Sequence, residues 1–61
     1  MKNLKVNGIG DVELSLNFDD DNQQYYEVKK DGKFLAILYT NEEFGSDFFM
    51  IDLESAIEAY N

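Results

Sequence analysis

The sequence predicts a small α+β domain, in which an antiparallel sheet of three to five strands, built from two hairpins, carries one C-terminal helix. Two turn signals and a change of apolar spacing lead to this prediction. Asn7-Gly8 and Asp31-Gly32 are residue pairs that tolerate the positive φ angles of a two-residue hairpin. In the last ten residues the apolar side chains change to helical spacing. A chain of 61 residues has room for one domain, at residues 1–61.

The strands are predicted from apolar alternation. Residues 11–18 alternate almost perfectly, as in a half-buried strand whose inner side carries Val12, Leu14, Leu16 and Phe18. Residues 24–30 form the next predicted strand and residues 34–40 the third. The third is apolar on both sides, with Phe34, Ala36 and Leu38 against Leu35, Ile37 and Tyr39. A strand that is buried on both faces needs a cover on each face.

The helix is predicted over residues 53–60, from the spacing of Leu53, Ala56, Ile57 and Tyr60. Asp52 is a good N-cap for it, and residues 47–51 then form a short strand. A competing interpretation begins the helix at Ser46 and runs it through Phe49, Leu53, Ala56 and Tyr60. In both cases one short helix covers only one face of the sheet. The apolar side chains on the other face are therefore expected to meet a second copy or a target.

The net negative charge of the chain limits the kind of partner that it can bind. The chain has 13 Asp and Glu against five Lys, a formal net charge of −8, and no base follows Lys33. Such a field repels nucleic acid and anionic membrane and attracts cationic surfaces. Without Cys or His, neither a disulfide nor a structural zinc can support so small a domain. The sequence predicts an acidic binder of a basic protein.

Catalysis and metal binding are not predicted. The chain lacks His and Cys, its hydroxyls have no nearby candidate base, and it hardly has the length to build a cleft. The run at residues 19–22 does not fit a calcium loop, which needs Gly at its sixth position and Glu at its twelfth, where Gln24 and Lys30 stand. We expect a solvated turn there, and no cofactor. No apolar run has the length of a signal peptide or membrane span, so we expect a cytoplasmic protein.

The acids themselves fit two interpretations. One is a solvated surface that keeps a small protein soluble. The other is imitation of a phosphate backbone, since Asp11 and Glu13 stand about 6.7 Å apart on a strand face, and Glu54 and Glu58 are neighbours on a helix face. The pairing of charge with surplus apolar surface favours a binding role.

Four features of the first half of the chain are similar to a known family. They are Asp11-Val12, the alternating strand, the run Asp19-Asp20-Asp21-Asn22-Gln23-Gln24-Tyr25-Tyr26-Glu27, and Lys30. These residues resemble the corresponding stretch of the small dimeric uracil-DNA glycosylase inhibitors of short-tailed Bacillus phages. The resemblance covers roughly the first half of the chain. It implies an acidic homodimer of sheet and helix that mimics DNA in the host cytoplasm, with a hydrophobic groove for the apolar loop that the enzyme inserts into its substrate.

The family's functional Phe and Tyr, which lie in a helical segment, can be matched here in two ways. One register places Leu35 at the Phe and Tyr39 at the Tyr, with Ala36 in place of an acid. The other matches Ser46-Asp47-Phe48 and places Phe48 at the Phe without a Tyr. Both registers stay open at the level of sequence.

We therefore predict an inhibitor of a DNA-binding enzyme, with uracil-DNA glycosylase as the first target. The acids that stand for phosphates are Asp19, Asp20, Asp21, Glu27, Glu42, Glu43 and Asp47. An apolar groove is expected near Leu35, Tyr39, Phe48 and Phe49. The alternative is an acidic interaction module, such as an antitoxin, an immunity protein or an inhibitor of another nucleic-acid-binding defence enzyme.

Overall fold

The computed structural model describes residues 1–60 and shows a four-stranded antiparallel sheet followed by one helix. The strands are β1 (Lys2–Val6), β2 (Gly10–Phe18), β3 (Gln24–Lys30) and β4 (Lys33–Leu38), and they lie side by side in chain order. The helix is α1 (Asp47–Ala59). The predicted α+β class is confirmed. None of the helical structure in residues 1–60 has the length and apolar content that a bilayer crossing needs.

The turn between β3 and β4 has the predicted form. Lys30 pairs with Lys33, so Asp31 and Gly32 make a two-residue connection. Their φ angles are 52° and 79°, and a type I′ turn requires positive values at both positions because its twist matches that of the flanking strands. Glycine adopts such an angle without steric cost, and aspartate is among the few other residues that tolerate it. The pattern Asp-Gly therefore fixes the register of this hairpin.

The turn between β1 and β2 is one residue longer than predicted. Val6 pairs with Gly10, so the connection contains residues 7–9. The N–H of Ile9 donates to the carbonyl of Val6 at 3.1 Å, and Gly8 has a φ of 81°. A positive φ at the third position is the requirement of a type II turn, which favours glycine there. The Asn-Gly pair marks the turn correctly but does not determine its length.

The helix begins earlier than the main prediction. Residues 47–51 are helical, so the predicted short strand is wrong, and so is Asp52 as N-cap. Ser46 caps the helix in an extended conformation, and its side chain accepts a hydrogen bond from the N–H of Phe49 at 3.2 Å. Asp52 lies within the helix and accepts a hydrogen bond from the Thr40 hydroxyl at 2.7 Å. The competing interpretation, with the helix starting at Ser46, is confirmed.

Burial explains why the longer helix forms. Phe49, Leu53 and Ile57 recur every four residues and are 0%, 0% and 3% exposed, so they form one stripe on the inner face of α1. Phe48 and Ile51 lie on the outer face and are 68% and 55% exposed. A strand over residues 47–51 would alternate its side chains and could not bury that stripe.

The core lies between one face of the sheet and the inner face of α1. It contains Val6, Val12, Leu14, Val28, Ala36, Leu38, Phe49, Leu53 and Ile57. The helix packs on β4, which is an edge strand of the sheet. No helix within residues 1–60 lies on the opposite face of the sheet, and we call it the open face.

Candidate functional site

The β2–β3 hairpin protrudes from one end of the sheet, opposite to the β3–β4 turn. The row of paired residues that includes Leu14 crosses all four strands. The next row on the same face, with Leu16 opposite Tyr26, crosses three strands because β1 has ended. The last row, Phe18 opposite Gln24, has only β2 and β3. We call this protruding part, residues 16–26, the hairpin tip.

Exposure follows the loss of neighbouring strands. Leu14, Leu16 and Phe18 point to the same face of β2, yet they are 1%, 49% and 58% exposed. Helix α1 has 13 residues and is about 20 Å long, whereas β2 has nine residues and spans about 30 Å. The helix therefore cannot cover the whole strand. The alternation predicted for residues 11–18 is correct, but burial stops after Leu14.

The turn at the tip is organised by the carboxylate of Asp19. Its Oδ1 accepts hydrogen bonds from the N–H groups of Asp21 at 2.9 Å and Gln23 at 2.8 Å. The N–H of Asp19 donates to the carbonyl of Gln23 at 3.0 Å, and Asn22 takes a positive φ of 64°. The predicted turn held by side-chain bonds to the backbone is confirmed. Asp20 and Asp21 are left exposed on its outside.

Tyr39 joins the tip to the segment that follows β4. Its hydroxyl donates to Oδ2 of Asp19 at 3.2 Å, and its ring lies 5.4 Å from the ring of Tyr25. Desolvation of the phenol, and then the hydrogen bond to Asp19 and its charge, raise the pKa of Tyr39 above its ordinary value. The contact brings two separate acidic segments of the chain to one end of the sheet.

The raised pKa gives a prediction for Tyr39→Phe. The folded chain favours the neutral phenol, so the stability that this contact contributes is full below about pH 10 and is lost as the pH rises through the raised pKa. In urea unfolding at about pH 8 and about pH 11, we expect wild type to lose more stability than the variant between the two conditions. Equal losses would contradict a hydrogen bond between Tyr39 and Asp19.

Thr40 fixes the segment that carries Glu42 and Glu43. The Thr40 hydroxyl donates to Asp52 on α1 at 2.7 Å and accepts a hydrogen bond from the N–H of Glu42 at 3.1 Å. The carbonyl of Glu43 accepts a hydrogen bond from the N–H of Ser46, the N-cap, at 3.0 Å. The segment between β4 and α1 is thus held at both ends, with the two glutamates exposed between.

Six carboxylates share this end of the sheet, and we call them the acidic end: Asp19, Asp20, Asp21, Glu42, Glu43 and Asp47. The two ion pairs within residues 1–60 lie elsewhere, between Lys29 and Glu27 at 3.5 Å and between Lys30 and Asp31 at 4.0 Å. Lys2 approaches the segment after β4, where its Nζ lies 4.8 Å from the centre of the Phe44 ring. No ion pair in residues 1–60 includes a carboxylate of the acidic end.

Other predicted acids lie in a different environment. Glu27 is on the open face and is paired with Lys29. Asp11 and Glu13, which could have formed a row of negative charge, stand directly opposite Lys5 and Lys29 in the sheet. The electric fields of two adjacent opposite charges largely cancel at longer distances from the pair. Outside α1, the carboxylates that form no ion pair within residues 1–60 and have no lysine opposite them in the sheet are therefore grouped at the acidic end.

The predicted apolar residues do not form one groove. Phe49 is fully buried in the core, so its prediction as a partner contact is wrong. Phe48 is on the outer face of α1, Tyr39 lies beside the hairpin tip, and Leu35 is half-buried against the core at an irregularity in β4. Residues 1–60 contain no pocket. The exposed apolar side chains of a single chain lie on open surfaces.

Sequence reasoning misses two residues of this site, Leu16 and Phe18. Their alternation with polar residues is typical of buried positions, and that pattern hides their exposure. The length of the alternating segment could have revealed this exposure. The nine residues of β2 extend further than one short helix can cover. The hairpin tip thus combines an acidic turn with two exposed apolar side chains.

Residues 1–60 hold no group of three or more His, Cys, Asp or Glu side chains placed to bind a metal ion. Comparison with protein-family models, with curated proteins and with solved structures gives no match for this chain.

Proposed function

We propose that this chain is a DNA mimic that occupies the DNA-binding site of a DNA-processing enzyme in the host cytoplasm, with uracil-DNA glycosylase as the first target. The acidic end is the observation that carries this proposal. Its carboxylates come from two chain segments, meet at one end of the sheet and form no ion pair within residues 1–60. A protein site that binds phosphates is cationic, and complementary charge steers association with such a site.

Preorganisation of the acidic end supports the proposal. Asp19 fixes the acidic turn through its bonds to the backbone, and Thr40 fixes the segment that carries Glu42 and Glu43. Tyr39 connects the two segments through Asp19. Groups that are already ordered lose less conformational freedom on binding, so a larger share of the electrostatic attraction appears as affinity.

The resemblance gives separate support. Residues 11–30 resemble the small dimeric uracil-DNA glycosylase inhibitors, and this stretch includes the whole acidic turn. Of the two registers for the family's functional Phe, the one that matches Ser46-Asp47-Phe48 falls on the start of a helix, as in the family, with Phe48 68% exposed. The other register falls on a strand, with Leu35 half-buried. The first of these supports Phe48 as a partner contact.

The proposal is tested by uracil excision. Purified uracil-DNA glycosylase is mixed with increasing amounts of the chain before uracil-containing DNA is added. We expect excision to fall in proportion to the chain added, and the inhibition to weaken as salt is raised because exposed charges are screened. Undiminished excision at a large molar excess of the chain would exclude this target.

We also infer a homodimer that forms through the open face. That face carries charges of both signs, since Lys5 stands opposite Asp11 and Lys29 stands opposite Glu13. The side chain of Ile37 is partly exposed on it. The acidic end of one chain would repel that of another. The accessible surface of 4347 Å² is close to the value of about 4,100 Å² expected for a monomer of this mass, so the fold does not require the dimer. Sedimentation equilibrium should give twice the chain mass, and a single-chain mass at high concentration would exclude the dimer.

A second candidate function is favoured by the outer face of α1. Phe48 and Ile51 are exposed there, one turn apart, and could serve an antitoxin or immunity protein that binds away from an active site. Competition separates the two functions. Duplex DNA must displace a DNA mimic from its partner, because both occupy one site, whereas a protein bound elsewhere on the partner stays in place.

A further inference from the structure

We propose that Leu16 and Phe18 form a docking surface for an apolar side chain of a basic protein, flanked there by lysine or arginine. This inference deepens the proposed function, since it names the apolar contact that accompanies the acids, and it rests on that function for the choice of a basic partner. The two side chains lie on one face of β2, two residues apart and therefore about 6.7 Å from each other along the strand.

The surface is left open by the fold itself. The row of Leu16 has lost β1 as a neighbour, and the row of Phe18 has lost both β1 and β4. Helix α1 packs on β4, and its Phe49 ring reaches Tyr26 on β3, but it leaves Leu16 and Phe18 on β2 uncovered. As a result, two large apolar side chains are 49% and 58% exposed at the most prominent point of the sheet. Clustered exposed apolar residues with polar neighbours mark interaction sites.

Charge identifies the class of occupant. The hairpin tip contains Asp19, Asp20 and Asp21 and no lysine. A second copy of this chain docked on Leu16 and Phe18 would bring two such turns together, and like charges at close range oppose that contact. A protein surface that carries both an apolar side chain and cations can bury Leu16 and Phe18 and pair with the aspartates at the same time. The phosphate backbone of a nucleic acid can do neither.

The test uses Phe18→Ser with Phe34→Ser as its matched control. Phe34 is 48% exposed on β4, at the other end of the sheet and beside the Tyr60 ring, so both changes remove a half-exposed phenylalanine from a strand. The probe is a fluorescent synthetic peptide of alternating leucine and lysine, and a leucine–glutamate peptide serves as the charge control. Circular dichroism confirms that each variant folds.

We expect Phe18→Ser to weaken binding of the leucine–lysine peptide at least tenfold, as truncation of a central apolar contact does, and Phe34→Ser to change it by less than about twofold. The leucine–glutamate peptide should not bind. Equal effects of the two variants, or none from either, would overturn the docking surface. So would sedimentation data in which wild type self-associates and Phe18→Ser does not, because the occupant would then be a second copy.

The same variants separate this inference from the proposed function. If Phe18→Ser inhibits uracil-DNA glycosylase as strongly as wild type does, the docking surface is wrong and the inhibitor function stands. If wild type binds the leucine–lysine peptide through Phe18 and leaves the glycosylase fully active, uracil-DNA glycosylase is excluded as the target and the docking surface stands.

Discussion

Phe49→Ala is expected to remove a large part of the stability of the chain. The Phe49 side chain is fully buried, and its ring lies 5.0 Å from that of Phe44 and 5.6 Å from that of Tyr26. Truncation of a buried phenylalanine costs about 3–5 kcal/mol, because the cavity adds to the lost transfer free energy. A chain of 61 residues has a total stability of roughly 3–9 kcal/mol. Circular dichroism should show that the variant unfolds at a far lower urea concentration than wild type.

Phe48→Ala is the matched control, since the two phenylalanines are adjacent and differ only in the face of α1 that they occupy. Phe48 is 68% exposed, so we expect its truncation to change stability by no more than about 0.5 kcal/mol. A Phe48 variant as unstable as the Phe49 variant would contradict the register of α1 and the position of the core.

Neutralising four carboxylates of the acidic end is expected to abolish tight binding to the partner. The variant combines Asp20→Asn, Asp21→Asn, Glu42→Gln and Glu43→Gln, and its formal charge becomes −8 + 4 = −4. Because these four carboxylates lie together at one end of the sheet and form no ion pair in residues 1–60, their loss removes both electrostatic steering and the charge pairs that they would form with the partner. We expect the affinity for uracil-DNA glycosylase to fall on the order of a hundredfold or more, with a clear decrease in the association rate.

The control for that variant has the same total charge. It combines Asp11→Asn, Glu13→Gln, Glu54→Gln and Glu58→Gln, which also gives −8 + 4 = −4. Asp11 and Glu13 have lysines opposite them in the sheet, and Glu54 and Glu58 lie on α1, beyond its first turn. Surface plasmon resonance with immobilised glycosylase should show less than about tenfold loss. Equal losses in the two variants would mean that only total charge matters.

The parts of the fold that the sequence predicts correctly are those decided by local chemistry. Asp31-Gly32 determines its turn because few residue pairs accept two positive φ angles. Residues 11–18 give a strand because no helix can align apolar side chains at every second position. The start of α1 is harder, since the apolar run of residues 48–51 suits a strand and a helix equally. Burial of Phe49 decides between them, and that burial depends on packing against the sheet.

The site is formed by segments that are far apart in the sequence. Local sequence patterns do not predict how such segments come together. The acidic turn and Glu42 with Glu43 meet because β2, β3 and β4 alternate in direction, so both connections fall at one end of the sheet. The exposure of Leu16 and Phe18 depends on the length of β2 relative to its neighbours and α1. The error at Phe49 has the same origin, because a one-residue difference on a helix separates a core position from an exposed one.

Nuclear magnetic resonance of the ¹⁵N-labelled chain, with unlabelled uracil-DNA glycosylase added, tests most directly whether the acidic end is the surface that binds. We expect the amide signals of residues 16–26 and 39–47 to shift or broaden first, and those of residues 30–33, at the other end of the sheet, to stay unchanged. Changes confined to residues 30–33 or to the open face, or a spectrum unaffected by excess enzyme, would contradict the assignment of the acidic end as the DNA-mimicking surface.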